Sequence, residues 1–293
     1  MKLAPWNGTD IALLLQLQAQ GPGCWRNAFG DPNKNGRAYG GQLLGQALMA
    51  GLLEAPADRP PSMMQFLFLQ GALHDEPIDF TVTPLQDGKR FTSRHVRGAQ
   101  AGGRMVLDAQ VTCAAELASP THEQPCAAPP GEHATDLPAM QDLPADLLQG
   151  IESLGGYSQD MKASVDFRVP DARRQILALD RQPRLRFWLR AASPLPNDPR
   201  VHAAAFAYLS DWWTNFASLA LHRADLGARR LYIASLNHAI WLHRPPRVDE
   251  WLHFDCESPG SMRGRGLSIG RVHDAQGRLV ASVTQECLLA YAD

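Results

Sequence analysis

The feature that most restricts how this chain can fold is a repeat between its two halves. Phe80 and Arg104 each match the same residue type 174 positions later, at Phe254 and Arg278. The correspondence needs no gap between residues 66 and 110. A repeat this long does not belong to a solenoid, whose units span about 20–50 residues. We therefore predict an internal duplication that gives two related domains.

A proline-rich stretch separates the two repeats. From about Ala115 to Gln159 the sequence is rich in Pro, Ala, Glu and Asp and shows little periodicity. Because proline lacks a backbone donor and interrupts helices and strands, we expect neither a strand nor a continuous helix there. The predicted division is an N-terminal domain at 1–115, a linker at 116–160 and a C-terminal domain at 161–293.

Each half has the same coarse order of one helix followed by strands. The first helix opens at Gly40-Gly41, and the second runs from Pro199 to about His222, after Asn197 or Asp198 as its cap. Strands are expected at about 63–69, 78–85, 91–98 and 104–113, and again at about 231–243, 250–257, 265–273 and 279–291. This order predicts an α+β architecture in which each sheet packs on its own helix. The two sheets are expected to pair edge to edge, because pairing hides open sheet edges.

Composition excludes several classes of protein. The 293 residues carry a formal net charge of -2, which lacks the basic footprint of a nucleic-acid binder. The five cysteines are widely spaced and form no C-x-x-C, so neither a disulfide framework nor a thiolate zinc site is expected. No apolar run reaches transmembrane length, and neither end reads as a signal or peroxisomal address. We expect cytoplasmic residence without membrane attachment.

One motif suggests a serine hydrolase and is rejected on its context. Gly266 to Gly270 match G-x-S-x-G, whose chemistry needs a strand–turn–helix elbow. The following residues read as strand, turn and strand, so Ser268 is interpreted as one side chain of a strand that has one buried face. His273 is interpreted as a turn residue.

The histidines lack the spacing of metal ligands. His238 and His243 are five apart on a predicted strand, so they are expected on opposite faces. His202, His222 and His253 show no ligand spacing either, and structural or solvent-facing roles are favoured for all five of these histidines. We predict no metal site and no cofactor.

Three polar residues occupy positions where apolar ones are expected. Asp211 lies inside a helical pattern, Ser235 lies on a strand, and Gln285 lies on the last strand. A carboxylate, a hydroxyl and an amide at one helix–sheet contact can hold and activate a water molecule. The alternative is a buried polar network that only fixes packing, and spacing alone favours that alternative.

A second candidate feature lies at the start of the first helix, at Gly40, Gly41 and Gln42. Glycine allows a close approach of the backbone, and unpaired N–H groups at a helix start can bind an oxyanion or a substrate. The alternative is close packing of the helix on the sheet.

The sequence resembles the acyl-CoA thioesterase II family over nearly the whole chain except the linker. Five segments carry the resemblance, and they occur in the family's order: AYGGQLLGQAL (38–48), LQDGKRFTSRHVRGAQAGG (85–103), AYLSD (207–211), ASLNHAIWLHRPPRVDEWL (234–252) and DAQGRLVASVTQE (274–286). The resemblance implies a double hotdog, in which two helix-plus-antiparallel-sheet repeats join their sheets into one extended sheet. It also implies that Asp211, Ser235 and Gln285 activate the hydrolytic water.

The function implied by this resemblance is hydrolysis of acyl-CoA to free acid and CoA. Asp211 is the expected base and the Gly41 N–H the expected oxyanion donor, with no covalent intermediate. Four arginines are candidate contacts of the CoA phosphates, with solvated surface positions as the equally favoured alternative: Arg90, Arg94, Arg263 and Arg265. Relatives of this kind imply a homodimer or a homotetramer.

The chain also departs from the family pattern. It has Asn237-His238 where Asp-His is usual, Gln70-Gly71-Ala72 where Arg-Pro-Gly is usual, Gln65 in place of a histidine, and Pro246 in place of an aromatic residue. These departures keep open a non-catalytic acyl-CoA-binding hotdog protein that acts as a sensor or scaffold. A hotdog hydratase or dehydratase is disfavoured, since no paired Asp and His opens a helix.

Overall fold

The architecture is one long antiparallel sheet that encloses two central helices. The computed structural model describes residues 2–33, 35–129, 131–152, 162–177, 179, 181–222 and 231–291, with side chains left aside at 150–152. In the first half the strands are β1 (Ala4–Pro5), β2 (Leu17–Gly21), β3 (Cys24–Asn27), β4 (Phe29–Gly30), β5 (Pro61–Phe68), β6 (Asp79–Asp87), β7 (Phe91–Gln100) and β8 (Arg104–Ala114). In the second half they are β9 (Val165–Arg168), β10 (Arg184–Ala191), β11 (Leu231–Leu242), β12 (Leu252–Met262), β13 (Arg265–Asp274) and β14 (Leu279–Tyr291).

The order of the strands shows the duplication directly. The 12-stranded sheet runs β2-β3-β6-β7-β8-β5-β11-β14-β13-β12-β10-β9, while β1 and β4 form a separate parallel pair. Read outward from its middle, each half therefore has the same order. β5 and β11 join the halves in an antiparallel pair, with Gln65 opposite Ala239. This junction confirms the predicted edge-to-edge pairing, and β7 and β13 lie 174 residues apart at both ends.

Two helices form the centre of the molecule. The helices are α1 (Ile11–Leu14), α2 (Gly40–Leu53), α3 (Ala145–Glu152), α4 (Ala172–Ile176), α5 (Pro199–Ser210) and α6 (Phe216–Leu219). α2 is buried from Gly41 to Leu52, and α5 is buried from His202 to Ser210. None of the helices in the described ranges is long and apolar enough to cross a membrane.

α2 and α5 pack side by side in opposite directions. A Cβ built on Gly45 would lie 2.9 Å from the backbone oxygen of Ala204, and one on Gly41 would lie 2.2 Å from that of Tyr208. Such distances exclude any larger side chain, so glycine permits the close approach of the two helices. As a result, the start of α2 lies beside the end of α5.

The second helix ends earlier than the sequence predicts. Asp198 caps α5 and Pro199 occupies its first turn, as expected, but the helix stops at Ser210 instead of continuing to about His222. Trp213 has a φ of 60°, and a helix does not continue through a left-handed residue. Asp211 therefore caps the helix from its C-terminal end and does not lie in its interior.

Three other predictions need correction. The linker contains a helix, α3, which begins directly after Pro144, and proline is well tolerated at a helix start. Residues 130 and 153–161, which include the end of the predicted linker, lie outside the described residues, and the domain boundaries stay a prediction.

His273 is a buried residue of β13 and not a turn residue. The outer strands β2, β3, β9 and β10 were not predicted.

Candidate active site

The first predicted site residue lies where the two halves meet. Asp211 is the C-terminal cap of α5, and Gly40 is the first residue of α2. A Cβ on Gly40 would lie 2.5 Å from Oδ2 of Asp211, so only glycine lets this carboxylate approach the start of α2. The positive end of the α2 dipole stabilises a negative charge at this point. The site therefore combines a carboxylate of the second half with a helix start of the first.

The three predicted polar residues are brought together. Nε2 of Gln285, on β14, donates to Oδ1 of Asp211 at 2.5 Å and to Oγ of Ser235 at 2.9 Å. Oγ of Ser235, on β11, donates to the same carboxylate oxygen at 3.4 Å. The register of β11 shifts between Ser235 and Asn237. This cluster is the seam between helix and sheet that the sequence suggested.

The environment of Asp211 makes its carboxyl group a stronger base than usual. Burial raises the pKa of Asp211 to about 6, because a desolvated carboxylate loses its hydration. Hydrogen bonds from Gln285, Ser235 and the Gly41 N–H oppose this rise, as does the charge of Lys162. The side chain remains partly exposed, so a substrate can reach it. A partly exposed carboxylate with a pKa near neutrality is suited to general base catalysis.

A charged network that the sequence did not reveal lies next to this carboxylate. Nζ of Lys162 lies 2.7 Å from both carboxylate oxygens of Asp31, and Tyr208 donates to Asp31 at 2.9 Å. Burial lowers the pKa of Lys162, while Asp31 and Asp211 oppose that change. Asp31 and Lys162 are 131 residues apart in the sequence, and neither belongs to a recognisable motif. No pattern in the sequence signalled this pair.

Gln285 is flanked across the sheet by two further buried polar residues. His238 lies opposite it on β11, and Ser268 lies opposite it on β13. Burial lowers the pKa of His238 to about 3, so its ring is neutral, and Nε2 lies 3.0 Å from Oγ of Ser210. Ser268 is fully buried within a strand, which confirms that G-x-S-x-G does not form a nucleophile elbow here.

The structure modifies the roles predicted for the start of α2. The Gly41 N–H donates a hydrogen bond to Asp211, so the expected oxyanion donor already has a partner. Gln42 is buried and bonded to protein groups. Its amide accepts from the Asp31 N–H at 2.6 Å and donates to Gln46 at 3.1 Å, which supports a packing role, while its predicted contact with substrate stays a prediction.

The arginines predicted to contact CoA lie in two separate places. Arg94 is buried and donates to the carbonyl of Glu54 at 2.8 Å and to the carboxylate of Asp87 at 2.8 Å. These partners favour a structural role for Arg94, and its predicted contact with a phosphate stays a prediction. Arg90 is exposed in the turn between β6 and β7, at the same end of α2 as Glu54. α2 has 14 residues, so this end is about 21 Å from Gly40.

The other two arginines lie nearer to Asp211. Arg265 is opposite Leu288 in the β13–β14 pair, three residues and about 10 Å along the strand from Gln285. Its Nε lies 3.5 Å from a carboxylate oxygen of Glu286. Arg263 is exposed in the turn before it, with a φ of 54°. The turn between β12 and β13 is thus the predicted phosphate region nearest to the carboxylate.

Apolar side chains border the site on the side of the first half. The ideal Cβ of Gly40 lies 3.1 Å from Cε1 of Phe68. The rings of Tyr39 and Trp212 meet edge to face, with centroids 6.1 Å apart. An apolar wall beside a partly exposed carboxylate is suited to a ligand that has both an apolar and a polar end.

Comparisons with known proteins show which family the sequence matches. Two models of acyl-CoA thioesterase domains match the chain, the N-terminal domain at residues 30–114 and the C-terminal domain at 131–289. Acyl-coenzyme A thioesterase 8 of the mouse is 28% identical over 269 residues, which cover 85% of this chain and 79% of that protein.

Solved structures also resemble the chain. An acyl-CoA thioesterase II from Mycobacterium marinum has a TM-score of 0.78 and 28% identity, with 97% of this chain and 99% of that chain covered. A protein with a hot dog fold from Alicyclobacillus acidocaldarius has a TM-score of 0.76 at 16% identity, with 97% and 98% covered. The double hotdog predicted from the sequence is confirmed.

Proposed function

Since the chain belongs to the acyl-CoA thioesterase family, we propose that it hydrolyses acyl-CoA to a free acid and CoA with a water molecule that Asp211 activates. The cluster of Asp211, Ser235 and Gln285 supports this proposal more than any other observation. A water molecule bound there has a base to accept its proton and two polar groups to orient it.

The proposed first step is attack of this water on the thioester carbonyl. Asp211 takes one proton of the water as the new C–O bond forms, and the carbonyl oxygen becomes an oxyanion. With a pKa of about 6, Asp211 is mostly ionised at neutral pH and still basic enough to accept the proton. Ser235 and Gln285 hold the water in line with the carbonyl carbon.

The proposed second step uses the start of α2. Once Asp211 is protonated it is a weaker acceptor, so the Gly41 N–H becomes available to the oxyanion. The positive end of the helix dipole supports the same charge. When the intermediate collapses, the C–S bond breaks and the sulfur takes the proton from Asp211, which gives the free acid, CoA and the original carboxylate.

The test is a thiol-release assay with acyl-CoAs of short, medium and long chain. We expect Asp211→Asn to lower kcat by about 10²–10⁴-fold, the usual contribution of a general base. The matched control is Glu54→Gln, which alters the C-terminal cap of α2 in the same chemical way. It is expected to keep wild-type turnover.

Two outcomes would overturn the proposal. Unchanged turnover in Asp211→Asn would exclude Asp211 as the base. Tight binding of CoA without hydrolysis at any chain length would favour the alternative, a non-catalytic acyl-CoA-binding protein.

Compartment and assembly belong to the same proposal. Cytoplasmic residence is supported by five free cysteines, since disulfides are rare in reducing compartments. A homodimer or homotetramer is supported by exposed apolar side chains near the middle of the sheet, among them Leu67 and Trp241. Fractionation of cells and light scattering of the purified chain test the two statements separately.

A further inference from the structure

The linker returns over the second half and packs on its sheet. The Glu123 carboxylate accepts from the Leu279 N–H at 3.0 Å and from Arg244 at 2.6 Å. Further along the linker, the Ala127 carbonyl accepts from Arg186 at 3.1 Å. These contacts hold residues 123–127 against the ends of the strands of the second half.

Two histidines lie beneath this part of the linker. His253 and His273 are directly opposite each other in the antiparallel pair of β12 and β13, so their side chains share one face of the sheet. Phe254, the next residue on β12, stacks on Phe206 of α5 and therefore faces the centre of the molecule. Because side chains alternate along a strand, both histidines face outward, towards the linker.

Cys126 of the linker completes a compact group of three. One potential ligand atom of Cys126, of His253 and of His273 lies within 4.8 Å of the other two. Sγ of Cys126 is 3.4 Å from Nδ1 of His253. Two ligands of one tetrahedral zinc ion are separated by about 3.5 Å, given Zn–S and Zn–N bonds of about 2.3 and 2.0 Å. The group has the dimensions of a metal site before any rearrangement.

The ring nitrogens of the two histidines differ in their partners. Nε2 of His273 lies 3.1 Å from the Gln124 carbonyl, which fixes the proton on that nitrogen. On His253 the nitrogen close to Cys126 is Nδ1, and Nδ1 of His273 is buried without a hydrogen-bond partner among the described residues. A histidine that donates one N–H to a backbone carbonyl and keeps the other nitrogen free is the usual arrangement of a metal ligand.

Charges of both signs surround the group. Asp255 is buried two residues after His253 and forms a bidentate ion pair with Arg184 at 2.6 and 2.7 Å. Glu132 and Asp274 add negative charge near Cys126, and Arg186, which donates to the Ala127 carbonyl, adds positive charge. When a cation binds, Cys126 would bind it as the thiolate, and the thiol proton would pass to solvent.

We propose that Cys126, His253 and His273 bind a zinc ion that fastens the linker to the outer face of the second sheet. One sulfur and two nitrogens are ligands that zinc prefers, and the half-exposed side of Cys126 leaves a fourth position for water. The site is independent of the proposed hydrolysis, because it lies on the opposite face of the sheet from Gln285 and Asp211.

The experiment uses the full chain, stripped with a chelator and titrated with Zn²⁺ and, as a spectroscopic probe, Co²⁺. We expect one zinc ion per chain by elemental analysis. The Co²⁺ protein should show a thiolate-to-cobalt charge-transfer band and the strong visible absorption of tetrahedral cobalt. Cys126→Ser should lose the charge-transfer band and weaken zinc binding at least about tenfold, because a thiolate ligand is removed.

The matched control is Cys24→Ser, which removes the other half-buried free cysteine and should bind both metals like the wild type. Zinc should raise the Tm of the wild type and of Cys24→Ser, and should raise that of Cys126→Ser much less. Thioester hydrolysis should be unchanged in Cys126→Ser. The proposal is wrong if no zinc binds, if the Co²⁺ spectrum lacks the thiolate band, or if Cys126→Ser binds zinc as tightly as the wild type.

Discussion

The two halves share one scaffold but place different residues at the same points of it. The long helix of the second half ends at Asp211, and that of the first half ends at Glu54. Gln285 on β14 corresponds to Val111 on β8, 174 residues earlier. Ser235 and Pro61 have the same offset, and each lies opposite the corresponding cysteine of the neighbouring strand, Cys287 and Cys113.

The difference shows how a duplicated fold divides its tasks. Glu54 accepts a hydrogen bond from the Trp25 indole at 2.9 Å, and its carbonyl accepts one from Arg94. Val111 is fully buried, and a Cβ on Gly51 would lie 3.0 Å from its side chain. The first half therefore fills this region with packing. The second half keeps a partly buried carboxylate there, with the polar partners that it needs.

Exchange of the corresponding residues should have the largest effect. Gln285→Val removes the amide that bonds both Asp211 and Ser235, and we expect kcat to fall by about 10²–10³-fold, as for other lost groups that orient a reacting water. The reverse change, Val111→Gln, buries an amide without partners and should cost about 1–3 kcal/mol of stability. Steady-state kinetics and denaturant unfolding of both variants measure these effects.

The comparison fails if the two exchanges behave alike. Wild-type turnover in Gln285→Val would mean that Asp211 needs no amide partner. A loss of kcat in well-folded Val111→Gln would mean that the first half also carries out chemistry.

Alanine in place of two glycines of α2 should have the next largest effect. A Cβ on Gly40 would press on the Asp211 carboxylate and on Phe68, so we expect Gly40→Ala to lower kcat by about 10–10²-fold, as misplacement by about 1 Å can. Gly51→Ala crowds Val111 instead and should lower Tm with kcat unchanged. Steady-state kinetics and thermal unfolding of the two variants measure these effects. The assignment of the site to the Gly40 end of α2 is contradicted if Gly51→Ala loses activity and Gly40→Ala keeps it.

Much of the fold was predictable because its signals are local. The alternation of apolar and polar residues, together with turn residues, predicted the first residue of β7 and of β14 correctly. The capping pair Asp198-Pro199 predicted the start of α5. The outer strands were missed because β9, for example, has only four residues and too little periodicity to stand out. The end of α5 was missed because a positive φ at Trp213 follows from tertiary packing, which has no sequence pattern.

The candidate site was predictable in part for the same reason. Asp211 and Gln285 stood out as polar residues within apolar patterns, and the family resemblance joined them to Ser235. Distinguishing a buried from an exposed arginine requires tertiary contacts, so the sequence did not reveal that Arg94 is buried and bonded to the Glu54 carbonyl. Lys162 was not recognised, because its partner Asp31 lies in the other half of the chain.

The pH dependence of hydrolysis should be set by Asp211 of the second half and not by Glu54 of the first. Asp211 must be ionised to accept a proton, and its pKa is about 6. We therefore expect kcat/KM to fall about tenfold per pH unit below pH 6. In Gln285→Val this acidic limb of the kcat/KM profile should move to higher pH. The hydrogen bond from Gln285 lowers the pKa of Asp211, so its loss should raise that pKa. Glu54→Gln should leave the limb in place, and a limb near pH 4 in the wild type would contradict the assignment.

The same pKa predicts a stability effect with a definite sign. The folded-state pKa of Asp211 lies above the ordinary value of 3.8, so its contribution to stability is complete below about pH 3.8 and is lost as the pH rises through 6. Asp211→Asn should be more stable than the wild type at pH 8, by up to about 2 kcal/mol after allowance for partial exposure. Urea unfolding at pH 8 and pH 4 should show this advantage only at the higher pH.

The smallest expected effect concerns the arginines at the two ends of the helix pair. If CoA phosphates bind near the turn between β12 and β13, Arg263→Ala should raise KM for acyl-CoA by about two- to fivefold, the effect of one exposed charge contact. Arg90→Ala, in the corresponding turn of the first half, should leave KM unchanged, since Arg94 connects that turn to Glu54, at the far end of α2 and about 21 Å along the helix from Gly40. The KM increase should shrink at high salt, because exposed charges are screened. Equal effects of Arg263→Ala and Arg90→Ala on KM would mean that the substrate contacts both halves. The two halves would then differ in catalysis but not in substrate binding.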